Sequence, residues 1–378
     1  MADSEPEVLA KLAPGVASLD ADAWDELAGG DPFLSHAFLS ALEDSGGVGL
    51  STGWSPTPIL IEEDERLLAA APVYLKGHSQ GEYVFDHGWA EAWQRAGGQY
   101  YPKLQVAVPF TPVPGARLLG HRPQQLLAAI EAVTTQNGLS SAHLTFIDEA
   151  GATECERRGW LTRLGLQYHW FNRGYARFED FLGGLNSRRR KAIRKERSAA
   201  CAGVEIRALR GADIGPAERD AMWAFYQDTG ARKWGRPYLT REFVDLVSER
   251  MGDRLLLFLA CRNGRPIAGA LNFVGPDTLY GRYWGCTEEV RFLHFELSYY
   301  RAIDYAITHG LRSIQAGAQG EHKIARGYEP VLTRSCHFIP NRSFRNAVAD
   351  FLEGERAGVI NELEWLRQAL PYRSSSSA

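Results

Sequence analysis

The chain has 378 residues, 45% of them apolar and 23% charged, with a formal charge of −4. That is enough for two lobes with cores of their own, and it excludes a generally basic nucleic-acid coat and a low-hydrophobicity disordered chain. The five scattered cysteines (Cys155, Cys201, Cys261, Cys286, Cys336) form no CxxC pair and read as reduced thiols rather than a disulfide framework. MADSEPEV lacks the charged-then-apolar pattern of a leader, and no run approaches the roughly 18 to 20 apolar residues of a membrane span. The expectation is a cytoplasmic protein without a membrane span.

In chain order, a loose start to about residue 20 precedes helices at Asp22–Leu27 and Ser35–Glu43. Ile59–Glu62 and Leu67–Leu75 read as a hairpin around Glu63-Asp64-Glu65, and Tyr83–Phe85 as a third strand ending at Asp86-His87-Gly88-Trp89. Prolines at 102, 109, 112 and 114 make Tyr100–Gly120 irregular. The spacing of Leu126, Leu127, Ile130 and Val133 predicts a helix from Pro123 to Gln136, stopped by Asn137-Gly138. A strand at Ser141–Ile147, a helix at Ala152–Arg158 and a strand at Leu161–Trp170 follow.

Phe178–Ala200 predicts one or two helices, and Ala221–Thr229 and Arg241–Arg250 two more. Leu255–Cys261, Ile267–Val274 and Thr278–Trp284 form a meander whose first turn is Asn263-Gly264, a strong hairpin signal. A helix at Leu293–His309, a strand at Ser313–Ala316 and a last helix at Phe344–Leu370 precede a tail, RSSSSA, expected to be disordered. The order hairpin, third strand, helix, glycine stop and strand occurs twice, in Ile59–Ile147 and Phe258–Gly317. The expected fold is therefore α/β (α+β), with two lobes of one type, residues 1–175 and 176–378, each a mixed β-meander sheet flanked by helices.

Three stretches carry chemistry. Ser187–Arg197 holds seven basic residues and one acid. Arg188, Arg190, Lys191 and Arg194 are candidates for holding a phosphate-bearing donor, the alternative being a solvated helix face. Lys233, Trp234 and Arg236 combine cations with an indole able to stack a base or sugar, or else form a loop anchored by the indole. In Gly317–Tyr328, glycines frame Gln319, Glu321, His322, Lys323 and Arg326 after a buried strand. Glu321 or His322 can take a proton from an attacking amine, while Lys323 and Arg326 steady a carbonyl oxygen or a phosphate. His294 at the preceding helix start can face that loop, and Asp86 and His87 can line a cleft. No ligand spacing supports a metal. No G-x-S-x-G or Walker loop is present, so hydrolase and NTPase readings gain nothing.

The blocks DHGWAEAW, YYPKLQVAVPFTP, RRRKAIRKER, RKWGRPYLT and AGAQGEHKIARGYEP resemble the FemAB-like family of the GNAT acyltransferase superfamily, spread from Asp86 to Pro330. The resemblance implies two fused GNAT-like lobes and transfer of an acyl or aminoacyl group to an amine on a small molecule or peptide, with peptidoglycan-related precursors among the candidate acceptors. It implies no tightly bound cofactor, the donor being aminoacyl-tRNA or acyl-CoA. Acetyl-CoA-dependent GNAT enzymes hold pyrophosphate in a glycine-rich loop at a helix N-terminus. The corresponding GCTEEVRFLHFE has one glycine and the acidic pair Glu288-Glu289, which speaks against standard acetyl-CoA binding. The competing reading is a non-catalytic module that binds a peptidoglycan precursor or RNA through the same basic helix and the Trp234 loop.

Overall fold

The computed structural model describes residues 8–233, 237–317 and 320–373. Two compact units emerge, 1–165 with 332–360 and 166–331 with 361–378. The boundary expected at 175 thus lies near 165, and the chain returns to the first unit before it ends. The cause is a pair of strands, Leu161–Phe171 and Glu329–Phe338, each of which begins in one unit and finishes in the other.

In the first unit Ile59–Glu63 and Arg66–Ala71 pair as the expected hairpin. The apolar run expected to continue to Leu75 breaks at Pro72, which has no N–H for a ladder. Its second part, Val73–Lys76, joins a different sheet, antiparallel to Lys103–Val106. Lys103–Val106 lies inside the proline-rich stretch read as irregular. It runs parallel to Ala142–Ile147, which in turn pairs antiparallel with Glu329–Phe338. The helix Pro123–Gln136 makes the crossover and buries Leu126, Leu127 and Ile130 against Leu104, Val106 and Leu144. Tyr83–Phe85 is not a strand. Tyr83 has φ 59°, a left-handed conformation no strand contains, and the helix His87–Arg95 follows directly. A strand at Val8–Leu12, read as loose, edges the sheet containing Ile59–Glu63.

The second unit repeats this order with better-formed strands. Leu255–Arg262, Arg265–Val274 and Thr278–Cys286 make the expected meander, and Glu205–Arg210, missed from sequence, adds an outer strand. Thr278–Cys286 then runs parallel to Ser313–Gln315, which pairs antiparallel with Leu161–Phe171. The crossover helix, Leu293 to Thr308, contains a π-turn at Glu296–Tyr300. Its buried Leu297, Ile303 and Ala306 pack with Phe258, Ala270 and Leu279. Helices Pro216–Lys233 and Arg241–Met251 cover the other sheet face. Phe178–Ala200 divides into Phe178–Gly184 and Ser187–Ala200, the latter capped by Asn186, whose side chain accepts the Arg189 amide.

The last helix, Arg342–Gln368, closes the chain; the serine tail lies outside the described residues. Among the described residues no helix is long and apolar enough to cross a membrane.

Close packing in the second unit depends on Gly285, where an added Cβ would sit 2.1 Å from the Phe225 carbonyl oxygen. Backbone cannot yield as a side-chain tip can. Gly285→Ala is expected to cost about 1–3 kcal/mol. A thermal melt checks it, and an unchanged midpoint refutes the packing argument.

Candidate active site

The site grows from one sheet register. Thr278–Tyr280 pair in parallel with Ser313–Gln315; the first strand then continues to Cys286 while the second stops. The strands therefore part beyond Tyr280 and Gln315. On the other side Gln315 faces His169. The chain leaves through Gly317, at φ 78°, and returns as the short helix Glu321–Arg326.

That return sends Lys323 inward to 2% exposure. Its Nζ donates to the carbonyls of Ala316 (2.6 Å) and Gly317 (2.8 Å), and lies 5.8 Å from the Tyr168 ring. Among the described residues no carboxylate pairs with it. Burial disfavours the charged amine and pushes its pKa down to about 7. His169 beside it is pushed down to about 4, first by burial and then by the Lys323 charge.

The other expected residues divide clearly. His322 Nε2 lies 2.9 Å from the Tyr299 hydroxyl, and its ring centroid is 6.2 Å from that of His294, which also packs on Trp284. The structure thus brings His294, His322 and Lys323 into one neighbourhood. Arg326 belongs to the frame. Its guanidinium covers the Phe295 ring at 3.4 Å, donates to the His322 carbonyl (2.8 Å) and pairs with Glu196 (2.9 Å). Glu196 also accepts the Tyr300 hydroxyl. On the basic helix Arg188, Lys191 and Arg194 are exposed and Arg190 half-buried. Arg194 pairs with Glu179, while Arg197 reaches the fully buried Glu296. Among the described residues none pairs Arg188, Arg190 or Lys191 with a carboxylate. Trp234, Arg236 and Gln319, and the side chains of Lys233 and Glu321, lie outside the described residues.

Asp86 and His87 belong to the first unit and point apart. Asp86 is buried against Lys103, while His87 is exposed and stacked near Phe85, with centroids 6.3 Å apart. The second unit also contains an apolar cavity of about 30 Å³, lined by residues such as Met222, Phe243, Leu257 and Tyr283. It is too small for an acyl chain. Sequence reading missed His169, Tyr168 and Tyr299. The available signal was Gln167 and His169 alternating with Tyr168 and Trp170 in one strand, a polar face where both faces are buried.

With that geometry established, a family model described as peptidoglycan biosynthesis/recognition matches residues 15–374. The chain belongs to the FemAB-like family. The FemAB-like chain resembles the FemX crystal structure with 11% identity and a TM-score of 0.56, over 91% of this chain and 100% of FemX. It resembles the C-terminal domain of a putative lysylphosphatidylglycerol synthetase from Agrobacterium fabrum with 9% identity and a TM-score of 0.52, over 88% and 96% of the two chains. Comparison with curated proteins gives no match. At such identities the structural likeness speaks for fold alone, which is two fused GNAT-like lobes.

A neutral buried histidine binds its proton less readily than the unfolded chain does, so stability falls as pH drops. For His169 the loss should run from its ordinary value of 6.5 down to about 4. Melts from pH 7 to 4 should show a shallower decline for His169→Gln than for the unaltered FemAB-like protein. Parallel curves would place the acid sensitivity elsewhere.

Proposed function

We propose that this FemAB-like protein is an N-acyltransferase that moves an acyl or aminoacyl group from an activated ester to an amine, with Lys323 handling the proton. The observation that carries the reading is the Lys323 amine, buried where two parallel strands part and paired with no carboxylate among the described residues. A neutral amine has two N–H bonds and one lone pair. The Ala316 and Gly317 carbonyls engage two N–H bonds, leaving the lone pair for an incoming proton.

The acceptor amine attacks the ester carbonyl; its N–C bond forms as the C–O bond of the donor breaks. The proton released from the amine passes to Lys323 Nζ and then to the departing oxygen, so the lysine ends as it began. With a pKa of about 7 the group is poised to accept and return a proton near neutrality. His322, on the same short helix and hydrogen-bonded to Tyr299, adds a second proton-bearing group. Arg326 holds that helix in place. Membership of a peptidoglycan-related family and the likeness to FemX support an amine acceptor of that class.

Aminoacyl-tRNA is the donor we favour over acyl-CoA. The first turn of the basic helix carries Arg188, Arg189 and Arg190 and no acid. Cations at that end oppose the helix dipole, a cost that a bound polyanion removes. At the start of Leu293–Phe295, where acyl-CoA enzymes carry their glycine-rich loop, Phe292 holds φ 67° and Glu288 pairs with Arg262.

Labelled acyl-CoA and charged tRNA, each incubated with the protein and an amine-rich extract, test the reading. Lys323→Met should lower transfer about 10²–10⁴-fold, with Lys323→Arg failing to rescue because a guanidinium stays protonated. The wild-type rate should rise with pH through about 7. Unchanged turnover in Lys323→Met removes the lysine from the chemistry. Transfer from neither donor, beside clear tRNA binding, leaves a binding module. Arg188→Ala with Lys191→Ala should weaken tRNA binding and flatten its dependence on salt by about one to two phosphate contacts' worth; an unchanged salt slope would free the helix of that role.

A further inference from the structure

The first unit contains a second buried polar cluster at the matching topological position. In the second unit the residues opposed across the parallel pair and its antiparallel neighbour are Tyr280, Gln315 and His169. In the first they are Gln105, His143 and His337. In both, the neighbouring rung is apolar and faces the crossover helix: Leu279, Ile314 and Trp170 in one, Leu104, Ala142 and Phe338 in the other.

On the polar face of the first unit Lys76 and Lys103 stand directly opposite one another, both fully buried. Lys103 donates to Ser79 Oγ (2.9 Å), Glu82 Oε2 (2.8 Å) and Asp86 Oδ2, which uses all three of its N–H bonds. Asp86 Oδ2 also accepts the Tyr100 hydroxyl at 2.6 Å. Both carboxylates are therefore committed through one oxygen only. Glu82 Oε1 and Asp86 Oδ1 are buried without a hydrogen-bond partner, in side chains 1% and 3% exposed. Lys76 does not supply one. It donates to the Gln80 carbonyl at 3.2 Å, sits 3.6 Å above the Trp54 ring and stays 3.9 Å from Glu82 Oε1.

An unsatisfied buried carboxylate oxygen costs more than an unsatisfied neutral group, so two in one cluster call for a donor. Lys103 alone offsets one of the two negative charges. Among the described residues Lys76 is the other cation in direct range, and burial lowers it to about 7. When it is neutral and Glu82 is ionised the cluster carries one net negative charge, which an ammonium would cancel while donating to both free oxygens. The aromatic faces of Trp54, Tyr100 and Tyr101, already within 3.6–6.0 Å of the two lysine nitrogens, suit a cation as well.

The cover is the irregular segment 77–86, which supplies Ser79, Glu82 and Asp86. It is fastened by Trp54 Nε1 to the Gln80 carbonyl (3.1 Å) and the Phe110 amide to the Gly81 carbonyl (3.3 Å). Tyr83 within it and Phe110 beneath it hold φ 59° and 57°, conformations that cost bulky residues about 1–3 kcal/mol each and gather at ligand clamps.

We infer that this cluster is a binding site for the primary ammonium group of a ligand, received by the free oxygens of Glu82 and Asp86 beneath segment 77–86. The site is independent of the chemistry at Lys323 and can be measured with that residue replaced. Ammonium binding requires Glu82 ionised and gains from a neutral Lys76. Burial raises Glu82 to about 7, despite Lys103. The remaining groups hold fixed states near neutrality. Burial alone would raise Asp86, but Lys103 and His143 keep it well below the usual carboxylate range, while burial keeps His143 and His337 neutral. His78, beside Lys76, is also lowered by burial.

Calorimetric titration of n-butylamine into the full chain, at pH 6 and pH 8, tests this, with n-butanol and potassium chloride at matched ionic strength as controls. The amine stays charged at both pH values. Saturable binding of the amine alone, about tenfold tighter at pH 8, is expected. Glu82→Gln and Asp86→Asn should each weaken it at least tenfold, and Lys323→Met should not change it. Glycylglycinamide and O-phosphoethanolamine, run alongside, distinguish a peptide amine from a headgroup amine. Equal heats from potassium chloride, no saturation, or loss of binding in Lys323→Met overturn the inference. Should neither carboxylate variant fold, the unaltered protein decides, and an affinity that does not rise between pH 6 and 8 overturns it.

Discussion

The carboxylate of Glu296 is wholly buried and is gripped by two guanidinium groups. Arg197 reaches it with two nitrogens at 3.1 Å each and Arg301 with one at 2.9 Å. Breaking such a pair by removing one partner typically costs about 3–5 kcal/mol, because an uncompensated buried charge is left behind. The geometry gives the π-turn at Glu296–Tyr300 a purpose. Its extra residue shifts the register of side chains around the helix, which is how such turns commonly serve functional regions. A second rung, Glu196 with Arg326 and the Tyr300 hydroxyl, lies on the same basic helix. Together they fasten the helix Ser187–Ala200 to the crossover helix and to the segment bearing His322 and Lys323. Ile193 and Ala200 complete the buried stripe, so the inward face of a strongly basic helix is set by ion pairs as much as by apolar packing.

This fastening explains how Lys323 is tolerated. A lysine buried among carbonyls has every reason to swing into water, since four carbon–carbon rotations allow it. It stays because the helix carrying it is anchored at Arg326 and because Ala316 and Gly317 offer oxygens at the strand end. The arginines neighbouring it are spoken for by Glu196 and Glu296, whereas no carboxylate among the described residues pairs with the lysine. Selective neutralisation of the surroundings therefore leaves one titratable amine whose charge depends on pH near neutrality, the condition under which a base is most useful.

Much of the frame was legible in the sequence. Asn137-Gly138 marks the end of the helix Pro123–Gln136, Asn263-Gly264 marks the hairpin, and the glycines at 317, 320 and 327 mark a segment with positive φ. The basic run was legible as a helix, but not which side of it faced inward, because Arg197 and Glu196 look as solvent-loving as Arg188 until Glu296 and Arg326 are placed. Lys103–Val106 was hidden by flanking prolines, which exclude helix but not a short central strand. Glu329–Phe338 was hidden because its polar residues, Thr333, Ser335 and His337, are themselves buried. The rule that polar means exposed fails where a sheet has a polar interior face. His169 escaped notice for the same reason, and Lys323 was recognised as a residue type while its burial, which gives it its chemistry, was not.

The two units also show what a shared register does and does not determine. Both present a polar rung away from the crossover helix, so the placement of histidine and amide groups follows from topology. The fate of the nearby lysine does not. In the first unit Lys103 is surrounded by Glu82, Asp86 and Ser79, and its pKa is held above the ordinary value by those carboxylates although burial opposes it. In the second, Lys323 donates to two carbonyls, no carboxylate among the described residues pairs with it, and burial prevails. The same amine on the same scaffold is thus held charged in one case and brought to titrate near neutrality in the other. What separates them is the segment laid over the sheet: 77–86 brings two acids, while the return through Gly317 brings backbone oxygens.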